Sequence, residues 1–204
     1  MPRVSTAKER LTDAALDMIW ENSYGATSVD AICERANVKK GSFYYFFKSK
    51  SELAAAALEA DWAKHKTDLD TAFSPALAPL ERLRVYFEGA YSFMEKIKAK
   101  HGVVLGCPIF TLGCEVGTTD SILRDKIQEL LDRKVGYLES AIRDAHAHSL
   151  IEAPDARAKA KALFAFVEGT LSQARIDNDL EPIRQLYPGA LALLGAKSSP
   201  AVTA

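Results

Sequence analysis

Apolar positions recur at intervals of three and four along nearly the whole chain, and no segment alternates apolar and polar residues as a strand would. The pattern predicts an all-α protein of about nine helices. The first covers about 7–22, with Leu11, Ala14, Ala15, Met18 and Ile19 on one face. Thr6 and Glu9 have the spacing of a capping box, in which each side chain satisfies an otherwise unpaired backbone N–H. Ser28 is placed to cap a short second helix, about 29–36, with Asp30 in its first turn, where the helix dipole favours an anion. Asn37 stands where the chain must turn sharply, and asparagine enters the left-handed region more readily than most residues. A third helix follows at about 39–46. Ser49 and Glu52 repeat the capping-box spacing at the start of a fourth, which stops before Ser74 and Pro75.

Residues 74–79 break the pattern. Pro79 suits the first position of a fifth helix, about 79–99, whose face is Leu83, Tyr86, Phe87, Ala90, Tyr91, Met94 and Ile97. After a loop over 100–106, Pro108 opens a sixth helix ending near Gly117. Thr118, Thr119 and Asp120 then cap a seventh that reaches about 147. The eighth spans about 155–178 and the ninth about 182–195, where Pro188 is expected to kink or interrupt it. Ala158, Ala162, Ala165, Gly169 and Ala174 form a stripe of small residues on the eighth. A mid-helix glycine costs about 1 kcal/mol relative to alanine, and close approach of another helix would explain it. The eighth and ninth helices, the latter with Leu186, Leu191, Leu193 and Leu194, are therefore the candidate faces for pairing two chains, with a four-helix bundle across a two-fold axis as the expected result. The tail 196–204 is small and polar and is expected to fray.

With 204 residues, 48% of them apolar, the chain can bury a substantial core. Its net charge of −1 argues against a uniformly basic polyanion binder, but the charge is unevenly spread. The first 50 residues carry eight Lys and Arg against six Asp and Glu, and the other 154 carry 18 against 21. A mildly basic head on an acidic body suits local phosphate contact. Three cysteines without a CxxC spacing make neither a disulfide framework nor a zinc site, and no cofactor or metal is expected. No apolar leader pattern follows Met1 and no run of about 18 apolar residues occurs, so a soluble cytoplasmic protein without membrane contact is the expectation.

The second and third helices, joined by a three- or four-residue turn, have the layout of a helix-turn-helix. In that geometry the start of the second helix meets base edges while flanking groups hold the DNA backbone. Gly41 permits close backbone approach. Ser42 and Tyr44 carry hydroxyls for phosphate oxygens, Lys39 and Lys40 are long donors, and Tyr45 can meet a thymine methyl or a sugar. Ser28, Lys48 and Lys50 complete the candidate DNA contacts. Phe43 and Phe47, four apart, are expected to anchor the helix. Taken singly, each aromatic reads as core and each lysine as a solvated charge; their joint spacing favours DNA. The expected division is a DNA-binding domain over 1–50 and a second helical domain over 51–204.

The run Thr27–Ser28–Val29–Asp30–Ala31–Ile32–Cys33 through Val38, followed by Gly41–Ser42–Phe43–Tyr44–Tyr45–Phe46–Phe47–Lys48–Ser49–Lys50–Ser51–Glu52–Leu53, resembles the DNA-binding signature of the TetR family of bacterial transcriptional regulators. The likeness covers residues 6–53. It implies a homodimer, usually a repressor, that binds a palindromic double-stranded operator, with 51–204 as a ligand-binding and dimerisation domain for a small-molecule effector. It also implies Ser42, Tyr44 and Lys50 at phosphates, with Lys40 and Tyr45 near bases. Two departures are Phe46, where the family often has His or Tyr, and Asn37 in place of the usual Gly.

In the second domain, Cys107 precedes Pro108 and so falls at a helix N-cap, where unpaired N–H groups and the dipole would stabilise a thiolate. Its surroundings, Gly106–Cys107–Pro108–Ile109–Phe110–Thr111–Leu112–Gly113–Cys114, resemble the branch of the family typified by N-ethylmaleimide-responsive repressors. In that branch a lysine on the eighth helix can partner the thiol; the matching position here is Arg175. Two readings of Cys107 stay open, a sensor and a small buried hydrophobe, while Cys33 and Cys114 are expected to be buried. A non-covalent pocket is the other route for an effector. Trp62, Tyr91, Met94, Cys107, Phe110 and Arg175 are the candidate sensing residues, and His65, Tyr86, Phe87, Phe166 and Glu168 lie on the same helices. Two rival functions remain: a cysteine-dependent enzyme with His101 as base, which lacks a third orienting group, and a helical interaction module that does not bind DNA. No enzymatic activity is expected.

Overall fold

The structure, a computed structural model, describes residues 6–196, which leaves the tail 197–204 outside the described residues. Ten helices are described: α1 (Ala7–Glu21), α2 (Val29–Arg35), α3 (Lys40–Phe46), α4 (Lys50–Ala72), α5 (Pro79–His101), α6 (Pro108–Val116), α7 (Ser121–Ala147), α8 (Ala156–Asp177), α9 (Glu181–Arg184) and α10 (Leu186–Leu194). No strand occurs among the described residues. Two compact units result. The first comprises the chain through Thr67 together with Cys107–Asp132, and the second Asp68–Gly106 with the chain from Arg133. The chain therefore passes between units three times, within α4, at Gly106–Cys107 and within α7. Units and contiguous sequence do not coincide, because α6 and the start of α7 belong with the N-terminal helices.

In the first unit Leu11, Ile32, Phe43, Leu53, Leu58, Leu123 and Leu130 are fully buried. The capping box at Thr6 is complete: the Glu9 N–H donates to Thr6 Oγ1 at 3.2 Å and the Thr6 N–H to Glu9 Oε2 at 2.6 Å. At α4 the box is shifted. The Glu52 N–H donates to Ser49 Oγ at 3.1 Å, while the Glu52 carboxylate accepts from the Lys48 N–H at 2.9 Å. Asn37 adopts φ +50°, the left-handed turn expected between α2 and α3.

The second unit is built on Leu83, Phe87, Leu138, Ile142, Leu163, Val167 and Leu186. Buried Arg82 donates to the carbonyls of Pro75 and Leu77 and to Asp144 at 2.6 Å, so one guanidinium satisfies the backbone of the proline-rich breaker. Gly102, at φ +77°, ends α5 two residues later than expected. The expected ninth helix is two pieces, and the break falls at Gln185 rather than at Pro188. A proline in the first turn of a helix forfeits no intrahelical bond, so restarting at Leu186 accommodates Pro188 inside α10. Next to it, a Cβ on Gly189 would lie 2.5 Å from Phe166 Cζ, which explains a glycine where α10 meets α8.

Replacing Asn37 by Ala is expected to destabilise the first unit by about 1 kcal/mol, the cost of a left-handed residue without a locally bonding side chain. Asn37→Gly should be neutral or better. Urea denaturation of both variants checks this.

Candidate nucleic-acid interface

Seven-residue helices are too short to persist alone, so α2 and α3 depend on tertiary anchoring. Phe43 is fully buried and Phe47 is 5% exposed. Their ring centroids stand 6.0 Å apart, which fixes the inner side of α3. The outer side is open: Tyr45 is 83% exposed and Tyr44 58%. Lys39, Lys40, Gly41 and Lys48 are also exposed, and Ser42 is half-buried. A Cβ on Gly41 would meet nothing within 4 Å. Large aromatics that face water on a helix anchored by other aromatics are not core residues; the exposed set includes Tyr44, Tyr45, Lys39, Lys40, Gly41 and Lys48 of the expected contacts, while Ser42 and Lys50 are half-buried.

Ser28 caps α2 by accepting from the Ala31 N–H at 3.1 Å. Lys39 opens α3 in an extended conformation with no side-chain cap. The Lys40 ammonium lies 2.6 Å from Asp30 Oδ1, and that hydrogen bond raises its pKa. Both partners are exposed, so the pair can be exchanged for a phosphate at little cost.

Lys50 is placed differently. Its ammonium donates to the carbonyl oxygens of Tyr24 at 2.8 Å and Thr27 at 2.9 Å. It also sits 4.0 Å from the centroid of the Tyr24 ring. Burial lowers its pKa, with Glu115 acting in the opposite sense. The same turn is held from α6: Glu115 accepts from the Tyr24 N–H at 2.9 Å and the Gly25 N–H at 2.7 Å. A third link is a relay. Ser51 Oγ donates to Asp120 Oδ2 at 2.5 Å, so Ser51 must accept from the Tyr24 hydroxyl 3.0 Å away. Asp120 Oδ1 meanwhile caps α7 by accepting from the Leu123 N–H at 3.0 Å. Burial alone would raise the Asp120 pKa. The hydrogen bonds from Ser51 and from the Leu123 and Ile122 N–H groups outweigh it, and the net shift is downward. Tyr24, Glu115 and Asp120 were not legible as one group. Glu115 and Gly25 are 90 residues apart, and only the capping role of Asp120 has a local signal.

The candidate sensing residues fall in both units. In the first, Trp62 and Cys107 are buried and Phe110 is half-buried. Cys107 is the N-cap residue of α6, but its side chain makes no capping hydrogen bond. Cys33 is buried, whereas Cys114 is exposed, contrary to expectation, because it lies on the side of α6 away from Ile109, Leu112 and Val116. In the second unit, Met94 is a core residue. Arg175 donates to the Leu105 carbonyl at 2.9 Å. Tyr91 lines a cleft of about 370 Å³ with Phe87, Glu88, Ser92, Ile183, Arg184 and Tyr187. Arg184 donates to the Tyr91 hydroxyl at 2.7 Å and stacks 4.8 Å from its ring centroid. On α8, Ala158, Ala162, Ala165 and Gly169 form an exposed row, continued by Ile176 at 77% exposure. Ala174 departs from the row and is fully buried.

Residues 11–57 match the family model for bacterial regulatory proteins of the tetR family, and residues 79–188 match the tetracyclin repressor-like C-terminal domain. The transcriptional regulator AcuR of Cereibacter sphaeroides is 32% identical over 89% of this chain and 82% of its own. The repressor NemR of Escherichia coli K12 is 22% identical over 86% and 87%. Among solved structures, a regulatory protein TetR from Rhodobacter sphaeroides superposes with a TM-score of 0.80 at 31% identity, covering 91% of this chain and 97% of that one. The reduced form of E. coli NemR gives 0.81 at 20% identity, over 95% and 99%.

The Asp120 shift has a pH consequence. A carboxylate whose pKa is lowered on folding contributes stability above its unfolded pKa and loses it as pH falls through the folded value. The gap in melting temperature between the parent and Asp120→Asn should be full near neutral pH and close below about pH 4. Thermal denaturation followed by circular dichroism at several pH values measures it.

Proposed function

We propose that this chain, which belongs to the TetR family of bacterial regulatory proteins, is a homodimeric repressor that binds a palindromic DNA operator and releases it when an effector acts. The observation that carries this reading is the face of α3, where Lys39, Lys40, Tyr44 and Tyr45 stand exposed on a helix pinned by buried Phe43 and Phe47. Ser28, Gly41, Ser42 and Lys48 belong to the same face in this reading. A protein that works on bacterial DNA does so in the cytoplasm. The exposed Ala158–Ala162–Ala165–Gly169 row of α8, with Leu193 of α10 38% exposed, supports pairing of two chains through these helices. Two copies of α3 would then enter successive major grooves about 34–36 Å apart. No catalytic role is assigned to Cys107 or His101.

The test uses a duplex selected from random DNA by the parent protein. Lys40→Ala with Tyr44→Phe should weaken binding by at least about tenfold, since each lost phosphate or base contact costs on the order of 1–3 kcal/mol. The parent should bind as two chains per duplex, and log K should fall linearly with log salt. Unchanged affinity in the double variant would overturn the assignment of α3.

An electrophile is the effector class that Cys107 favours. An adduct on a thiol that is only 6% exposed overpacks the start of α6. That helix also carries Glu115 to the Tyr24–Gly25 turn. N-ethylmaleimide should lower operator affinity of the parent and of Cys114→Ser by about tenfold or more, and leave Cys107→Ser unaffected. A Cys107→Ser protein that responds like the parent would reject the thiol route and direct attention to the Tyr91 cleft.

A further inference from the structure

We propose that Asp30 and Lys40 act as one base-reading pair, in which the ammonium donates to O6 and N7 of a guanine and the neighbouring carboxylate accepts from the N4 amino group of the paired cytosine. The inference rests on the reading of α3 as the DNA-contacting helix and names the base pair that its first turn selects.

Asp30 is the second residue of α2 and Lys40 the first of α3, so the pair joins the starts of the two helices of the helix-turn-helix. In that motif the start of the second helix is the part that meets base edges. Neither side chain is spent on capping its own helix. Ser28 caps α2 by accepting from the Ala31 N–H, and α3 opens without a side-chain cap. An ammonium at a helix N-terminus opposes the dipole, so Lys40 costs α3 stability where it stands. Asp30 offsets that cost, and its own place in the first turn of α2 favours an anion. The result is a donor and an acceptor 2.6 Å apart, each on a side chain more than half exposed. Exposed Tyr44 is close enough to interact electrostatically with the ammonium. Gly41 comes next, and a Cβ there would meet nothing within 4 Å, so the backbone beside the pair is open to close approach.

Charge and hydrogen-bond pattern decide what such a pair fits. A phosphate can take the ammonium cheaply, but it leaves the Asp30 carboxylate beside a polyanion. A base edge can take both partners. In the major groove guanine presents two acceptors, N7 and O6, next to the N4 amino donor of cytosine. That order matches an ammonium with three donors beside a carboxylate that only accepts. An A·T pair offers the ammonium one acceptor on adenine instead of two, and it sets the O4 acceptor of thymine on the carboxylate side. Reversing the G·C pair puts the carboxylate against the guanine acceptors.

The test uses the duplex selected from random DNA by the parent protein. Each G·C pair of its half-sites is replaced by A·T, one at a time and symmetrically in both halves. One replacement should cost the parent about tenfold or more in affinity. The same replacement should cost Lys40→Met and Asp30→Asn less than about threefold. Replacements elsewhere in the half-site should cost parent and variants alike. Selection from random DNA by Asp30→Asn should lose the G·C preference at that one pair and keep the rest. Circular dichroism checks that both variants retain the helix content of the parent. An Asp30→Asn protein that binds every duplex more tightly by one common factor, with the base preferences of the parent, would overturn the pair, because Asp30 would then only mask a charge. So would a preference that disappears in Lys40→Met and survives in Asp30→Asn. A parent protein with no preference among duplexes and no salt-dependent binding would reject the DNA reading of α3 itself and not the pair alone.

Discussion

A lysine ammonium held by two backbone carbonyls and the face of a tyrosine orders the turn that leads from α1 into α2 and α3. α2 and α3 have seven residues each and cannot maintain their geometry by their own hydrogen bonds. Phe43 and Phe47 fix α3 against the core, but apolar contacts tolerate sliding. Direction comes from polar groups with few satisfying arrangements. The Tyr24–Thr27 turn is given one by Lys50 on its carbonyl side and by Glu115 on its N–H side. The relay from Tyr24 through Ser51 to Asp120 adds a third constraint that also caps α7.

The two compact units are joined covalently at three places, and two of those lie inside α4 and α7. A helix transmits a displacement along its axis better than a loop, because its hydrogen-bond ladder resists bending. Both helices start at or beside residues tied to the Tyr24 turn. Any ligand of such a protein shifts the balance between two conformations only through its differential affinity for them.

Much of the fold was legible because helical periodicity and capping chemistry are local. Thr6, Ser28 and Asn37 each announce their roles within four residues, and the helix bounds follow. Pro188 gave the right warning at the wrong place, since a proline is harmless in a first turn and the chain broke three residues earlier. The exposed face of α3 was legible for the same local reason, a repeated spacing of aromatics and lysines. The partition of the lysines was not. Lys40, Lys48 and Lys50 look alike in sequence, and only the return of α6, some 65 residues on, brings the carboxylate that completes the site around Lys50. Cys114 was misread because the apolar face of α6 is set by Ile109, Leu112 and Val116, which leaves it outside.

That partition has an electrostatic logic. Near the Tyr24 turn, one ammonium lies beside the carboxylate of Glu115, and Asp120 stands by the Tyr24 hydroxyl. Lys39, Lys40 and Lys48 are exposed, and Lys40 is held only by the surface pair with Asp30. A weak, exposed ion pair is a suitable holding position for a phosphate ligand, because screening makes its exchange cheap. A part-buried ammonium with two carbonyl partners is the opposite, costly to move and therefore useful as a fixed point. The unit thus holds three exposed lysines beside one whose ammonium is fixed by two carbonyls.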